Sequence, residues 1–154
     1  MAIFYCSSSG SSGDGSLGNP WGITEAVFSA AGVDDGDTLL FIVDGTYAGK
    51  LTVGGKGTAS EPILLDQQNA LHDVASGESQ CVVLSGGREY YLLRNFRVRR
   101  ATGGNIVLQS STAGGGTTGC TVKHTVSDNA GGNGVAHVLN SGANPATPIV
   151  TGKP

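Results

Sequence analysis

All five arginines of this chain, Arg88, Arg94, Arg97, Arg99 and Arg100, fall in one short stretch. A guanidinium offers a planar fork of donors that grips carboxylates and other oxyanions two bonds at a time. Such a cluster suits contact with an anionic partner, either a carboxylate-rich protein surface or an acidic glycan. Nucleic acid is not expected, because only Tyr90 and Tyr91 stand near the cluster to stack against bases. On a strand, Arg97 and Arg99 share one face while Phe96 and Val98 share the other. Strict alternation puts Arg94 on the Phe96 side, so a bend or bulge must intervene somewhere. The plainer role for these side chains is a solvated strand face that discourages edge pairing.

The other reactive residue types are thinner. Asp34, Asp35 and Asp37 are close enough to suggest calcium, which needs several oxygens at one point. They sit in a Gly-Asp-rich turn, where aspartate is common for its own backbone hydrogen bonds, and a turn role is expected. Asp44 has the same setting. Asp66, Glu89 and Asp128 are too scattered to nominate the paired carboxylates of a glycosidase. His124 and His137 lack an evident partner for nucleophilic or acid–base work, and His72 is expected in solvent within a polar loop. Cys6, Cys81 and Cys120 are an odd number with no zinc-like spacing, so buried free thiols are expected. Trp21 is expected to pack on the core rather than on sugar. No catalytic residue, metal or cofactor is nominated.

What must position these residues is a chain of short strands and glycine corners. The sequence has 154 residues, 26 of them glycine, and only 14% are charged. That length suits one domain with a real core. The net charge of −3 lends no support to nucleic-acid or membrane attraction, and no run approaches the roughly 18 apolar residues of a membrane span. The opening residues from Met1 to Cys6 carry no basic, then apolar, leader pattern, so export is not expected.

The stretch from Tyr90 to Leu139 states one phrase twice, from Tyr91 to Leu108 and from Cys120 to Val138. Each copy is an apolar strand, a polar corner, a Gly-Gly-Asn turn and a second strand. Gly103-Gly104-Asn105 and Gly131-Gly132-Asn133 recur about 28 residues apart, the mark of a solenoid. His124 falls where Asn95 lies in the first copy, so stacking brings the two corners together. Upstream, strands are expected at Ile3–Ser7, Thr38–Val43, Leu51–Val53, Ile63–Leu65 and Cys81–Leu84. Thr38–Val43 reads as buried on both faces. Ser8–Asn19 reads as a Gly/Ser loop, Asp44–Tyr47 as a turn, and Gln67–Ser79 as a polar connection. The spacing of Ile23, Ala26, Val27, Ala30 and Ala31 predicts one helix over about 23–31, stopped by Gly32 and placed to cap an open end. Residues 140–154 read as an extended, proline-containing tail.

The order of Pro20-Trp21, helix, Gly36-Asp37-Thr38, apolar strand and Gly45-Thr46-Tyr47 resembles the N-terminal part of right-handed parallel β-helix proteins of the pectate-lyase-like superfamily. The resemblance covers roughly residues 3–139. It implies an all-β, short right-handed parallel β-helix over 1–139 with an N-terminal capping α-helix. It leaves activity open, since the group holds lyases, glycosidases, tailspikes and noncatalytic virion parts. The expectation taken forward is a noncatalytic structural protein of a bacteriophage virion, such as a capsid decoration or cement protein or a small tail or head-fibre component. It would be made in the host cytoplasm and dock on other virion proteins or on its own copies. The arginines, and Pro145, Pro148, Ile149 and Val150 of the tail, are the expected contacts. The alternative is a carbohydrate-active or carbohydrate-binding β-helix, with a glycan as partner.

Overall fold

The computed structural model describes residues 1–23, 33, 35–53, 55, 57–74, 78–85, 88–109, 118–128, 135–138 and 149–152. Among them every regular element is a β-strand. β1 (Ile3–Ser16) folds against β2 (Asn19–Trp21) as an antiparallel ribbon broken by bulges. All other pairing is parallel. β3 (Thr38–Phe41), β6 (Ile63–Asp66), β9 (Tyr91–Arg94), β12 (Thr121–Asp128) and β14 (Ile149–Gly152) stack on β1 in that order. β4 (Thr46–Tyr47), β7 (Leu71–Asp73) and β10 (Arg97–Arg99) form a second stack, closed by the latter part of β12. β5 (Leu51–Thr52), β8 (Gln80–Ser85), β11 (Gly104–Gln109) and β13 (Val135–Val138) form the third. Because β12 runs through the first two stacks, they join as one ten-stranded sheet beside a four-stranded one.

The chain therefore visits the three stacks in the same order, turn after turn. Parallel neighbours need a long crossover between them, and here the other two strands of each turn supply it. Leu64, Leu92, Thr121 and Ile149 lie side by side, each contributed by the turn after the last. The molecule is all-β with a large, mostly parallel sheet, compatible with a β-solenoid. The two copies of the repeated phrase fall in register, with Leu92 beside Thr121 and Ile106 beside Val135. The bend required between Arg94 and Phe96 is at Asn95, whose φ is 57°, and His124 makes the equivalent corner at 50°. Asparagine and histidine are among the side chains that tolerate this left-handed region best.

Alternation along each short strand sends one set of side chains inward. Leu39, Leu65, Leu93 and Val122 form one fully buried column, and Leu51, Val82 and Ile106 another. Phe41 meets Tyr47 and Phe96 edge-on, with ring centroids 5.3 and 5.8 Å apart. Each buried Leu or Phe contributes about 1.5–3 kcal/mol, against about 0–1 kcal/mol for an exposed ion pair. The inward columns thus dominate stability.

Several expectations need correction. Ser8–Asn19 is not a plain loop: β1 runs to Ser16. Its glycines permit this, since a Cβ on Gly10 or Gly13 would lie 2.3 Å from the Trp21 or Asn19 carbonyl oxygen. Thr38–Val43 is buried on one face only; Leu39 and Phe41 point in, and Val43 is 65% exposed. A coil in a stack has an outside, which a run of apolar residues alone does not reveal. Asp44–Tyr47 includes strand β4, and Tyr47 is buried with its hydroxyl 2.6 Å from the Cys6 carbonyl oxygen and 2.7 Å from that of Ile42. Gln67–Ser79 contains strand β7, and its polar composition hides buried Gln67, His72 and Asp73.

Trp21 is 4% exposed and stacks on Phe4 at 4.6 Å, as expected for core packing. Beyond Ile23, the expected helix lies outside the described residues. So do 140–148 of the expected tail, while Ile149–Gly152 lie along β12.

Candidate interaction surface

Three of the five arginines bind acids of the preceding turn. Arg94 Nε donates to Asp66 Oδ2 at 2.8 Å, and Asn95 Nδ2 donates to the other Asp66 oxygen at 2.9 Å. Arg99 Nε donates to Asp73 Oδ2 at 2.7 Å, and Arg100 Nη2 reaches the same oxygen at 2.7 Å. Asp66 lies beside Arg94, and Asp73 beside Arg99, as cross-strand neighbours. Opposite charges in that relation stabilise a sheet. The Arg100 donors, set against the opposing effect of burial and joined by those of Arg99, hold the Asp73 carboxyl below the usual carboxylate range. These acids were missed in the sequence. The signal was present: each precedes its arginine by one turn of the stack, close to the spacing of the Gly-Gly-Asn repeat.

Arg97 behaves differently. It is exposed, flanked in register by Leu71 and Val126, and makes no ion pair among the described residues. Lys123 is exposed beside Arg94, and exposed His124 follows it at the corner. Arg88 points Nη1 at the Gly55 carbonyl oxygen, 3.4 Å away, and its Nε is buried without a partner among the described residues. Among the described residues, Arg97 and Lys123 are exposed cations without an ion pair, while Arg94, Arg99 and Arg100 stay partly exposed within theirs. Pro145 and Pro148 lie outside the described residues. Ile149 and Val150 pair through their backbone with Thr121 and Val122.

The carboxylates near the first turns are engaged locally. Asp44 accepts from the Ser7 hydroxyl and, at 3.0 Å, from the Ser8 N–H. Desolvation works against its charge, but these donors outweigh it and hold the group below the usual range. Asp37 accepts from the Ala2 N–H at 2.6 Å, and Asp34 lies outside the described residues. Among the described residues, no group of three His, Cys, Asp or Glu side chains could hold a metal ion. Cys6, Cys81 and Cys120 are free and buried, as expected. Burial pushes Cys6 up to about 12, and Cys81 and Cys120 up to about 11. They are thiols, not thiolate nucleophiles, at neutral pH.

His72 corrects the sequence reading most sharply. It is fully buried between Tyr47 and Val98 in the second stack, with Nε2 2.6 Å from the Gly49 carbonyl oxygen. Facing a carbonyl, Nε2 carries the proton, and Nδ1 is a buried acceptor without a partner among the described residues. Burial lowers its pKa, opposed less strongly by the Gly49 carbonyl and Asp73. The unfolded chain thus takes up a proton that the folded one refuses. Stability is full above the unfolded value, about 6.5, and falls by up to about 1.4 kcal/mol per pH unit below it, until the folded value is reached. Denaturant melts at pH 7.5 and 5.5 should show this loss, and His72→Gln should remove it. An unchanged slope in the variant would contradict the assignment.

No protein-family model, curated protein or solved structure matches the chain. Among the described residues no helix is long and apolar enough to cross a membrane.

Proposed function

We propose that this chain is a short right-handed parallel β-helix of the pectate-lyase-like kind that works as a noncatalytic structural protein of a bacteriophage particle. A capsid decoration or cement protein, or a small tail or head-fibre component, fits best. The handedness follows the strong preference of parallel crossovers.

One observation carries the structural reading. Asp66 and Asp73 are each tied to arginines of the next turn, and Asp44 to Ser7 and Ser8. These three carboxylates hold neighbouring turns together rather than standing free for acid–base chemistry. Exposed cations such as Arg97, Arg100 and Lys123 are suited to docking on an anionic surface.

The rival reading is a carbohydrate-active β-helix. Incubating the purified chain with acidic polysaccharides, with and without Ca²⁺, tests it. No new reducing ends and no unsaturated product are expected over hours. Steady, protein-dependent release of either would overturn the noncatalytic assignment.

A further inference from the structure

The outward face of the first stack is apolar between its early turns. Leu64 and Leu92 stand side by side on neighbouring turns, next to Thr38. Each points away from the core, while Ile63, Leu65, Tyr91 and Leu93 on either side of them are buried. Parallel neighbours lie about 4.8 Å apart, so the two leucines make a continuous aliphatic floor. Pro62 extends it and Met1 closes one side, giving a groove of about 390 Å³.

Two carboxylates, Asp35 and Glu61, stand at its rim. Both are exposed, and neither has an ion pair among the described residues. The local backbone holds them together. The Gly36 N–H donates to the Glu61 carbonyl oxygen at 3.0 Å, and the Glu61 side chain lies along Gly36, whose Cβ position would be 3.5 Å from that of Glu61. Gly36 has a φ of 76°, so a larger residue there would strain the turn. Asp37 is engaged elsewhere: it accepts from the Ala2 N–H and lies 3.9 Å from the N-terminal amine. The surrounding chain does not balance the rim, since residues 1–49 carry six carboxylates and no lysine or arginine. Charges of one sign beside a low-dielectric wall raise the local concentration of the opposite charge.

An aliphatic floor with unpaired carboxylates at the rim complements a long alkyl stem that ends in a cation. Lysine and arginine lay such stems on apolar surface while the charged head finds polar partners. The groove is shallow, because Met1, Asp35, Ser60, Glu61 and Pro62 of its lining are exposed. A free small molecule needs most of its surface buried, which this groove does not provide. An anchor side chain carried by a larger partner is held by the rest of the contact as well. We infer that the groove over Leu64 and Leu92 is a docking site for a lysine or arginine side chain of a partner protein, with Asp35 and Glu61 receiving the charge. The bacteriophage reading is not needed for it. A chain absent from particles that still binds basic peptides would sink that reading and leave the groove standing.

Amide chemical shifts of the isotope-labelled full chain test the inference. The probes are blocked alanine pentapeptides whose central residue is lysine, arginine, norleucine or glutamate. At about 20 mM salt the lysine and arginine peptides should shift the Gly36, Leu64 and Leu92 amides with an apparent Kd of about 1 mM. The norleucine peptide, which has the stem without the charge, should bind about threefold or more weaker, and the glutamate peptide about tenfold or more weaker. Asp35→Asn with Glu61→Gln alters only exposed side chains. It should leave the melting temperature in place and erase the preference for lysine over norleucine, as should about 500 mM salt. Equal binding of the lysine and glutamate peptides, a preference untouched by the double variant, or no shift at these amides would each overturn the proposal. So would shifts of the same amides with protein concentration alone, because the occupant would then be a second copy of the chain.

Discussion

Phe41→Ala is expected to lower stability by about 3–5 kcal/mol, with the melting temperature falling by roughly 10 °C or more. Phe41 is fully buried in β3 and touches two aromatic rings. Tyr47 belongs to the next strand of the same turn, and Phe96 to a later turn. Removing its ring leaves a cavity between strands whose backbones are fixed by parallel pairing on both sides, β1 on one and β6 on the other. Little collapse can fill that space, which puts the cost toward the upper part of the range for aromatic truncation. Phe41→Leu keeps most of the volume and should cost under about 1.5 kcal/mol. Guanidinium melts of the three proteins decide the matter. Equal midpoints for the alanine and leucine variants would mean that Phe41 is not a packing centre.

Asp73→Ala is expected to cost about 2–3 kcal/mol, a discounted form of the about 3–5 kcal/mol lost when a fully buried pair is broken. The carboxylate is 5% exposed and receives Arg99 and Arg100 together. The discount arises because both guanidiniums keep part of their hydration. Asp66 holds a single arginine, so Asp66→Ala should cost less. The pH dependence separates this effect from that of His72. Because the folded pKa of Asp73 is depressed, its contribution is complete above the unfolded value, about 3.9, and is lost as pH falls through the folded value. Asp73→Asn should therefore flatten the acid limb below about pH 4 and leave the loss that begins near pH 6.5 in place. A variant with an unaltered acid limb would show that the bridge contributes nothing.

The all-β class, the glycine corners and the need for a bend or bulge near the arginines were legible in the chain, although Gly104 and Asn105 open β11 rather than form a turn, and 131–133 lie outside the described residues. Each depends on local chemistry: alternating apolar residues, glycine corners, and a count that fails to alternate between Arg94 and Phe96. The bridging acids were missed although each precedes its arginine by about one repeat, because that spacing means contact only once the turns are known to stack. His72 looked solvated because its neighbours in sequence are polar. Its neighbours in space, Tyr47 and Val98, come from the turns on either side. The same blindness made Thr38–Val43 read as doubly buried. In a stack of short turns, burial is decided by the turn before and the turn after, and a single strand does not display them.

The arginine cluster changed meaning for the same reason. Five cations close in sequence suggested one contact surface. Stacked, three of them also bind turn to turn, and beside Arg94 stands exposed Lys123, a residue from the following turn that no local count would include.

The most direct test of the structural assignment is an inventory of particles. Particles from a lysate containing the chain would be banded on a density gradient, washed in high salt, and quantified subunit by subunit by mass spectrometry. The account predicts the chain in the band at a fixed ratio to a major particle subunit, with no polysaccharide-cleaving activity in the free protein. A chain found only in the soluble fraction, together with cleavage of an acidic polysaccharide, would contradict it.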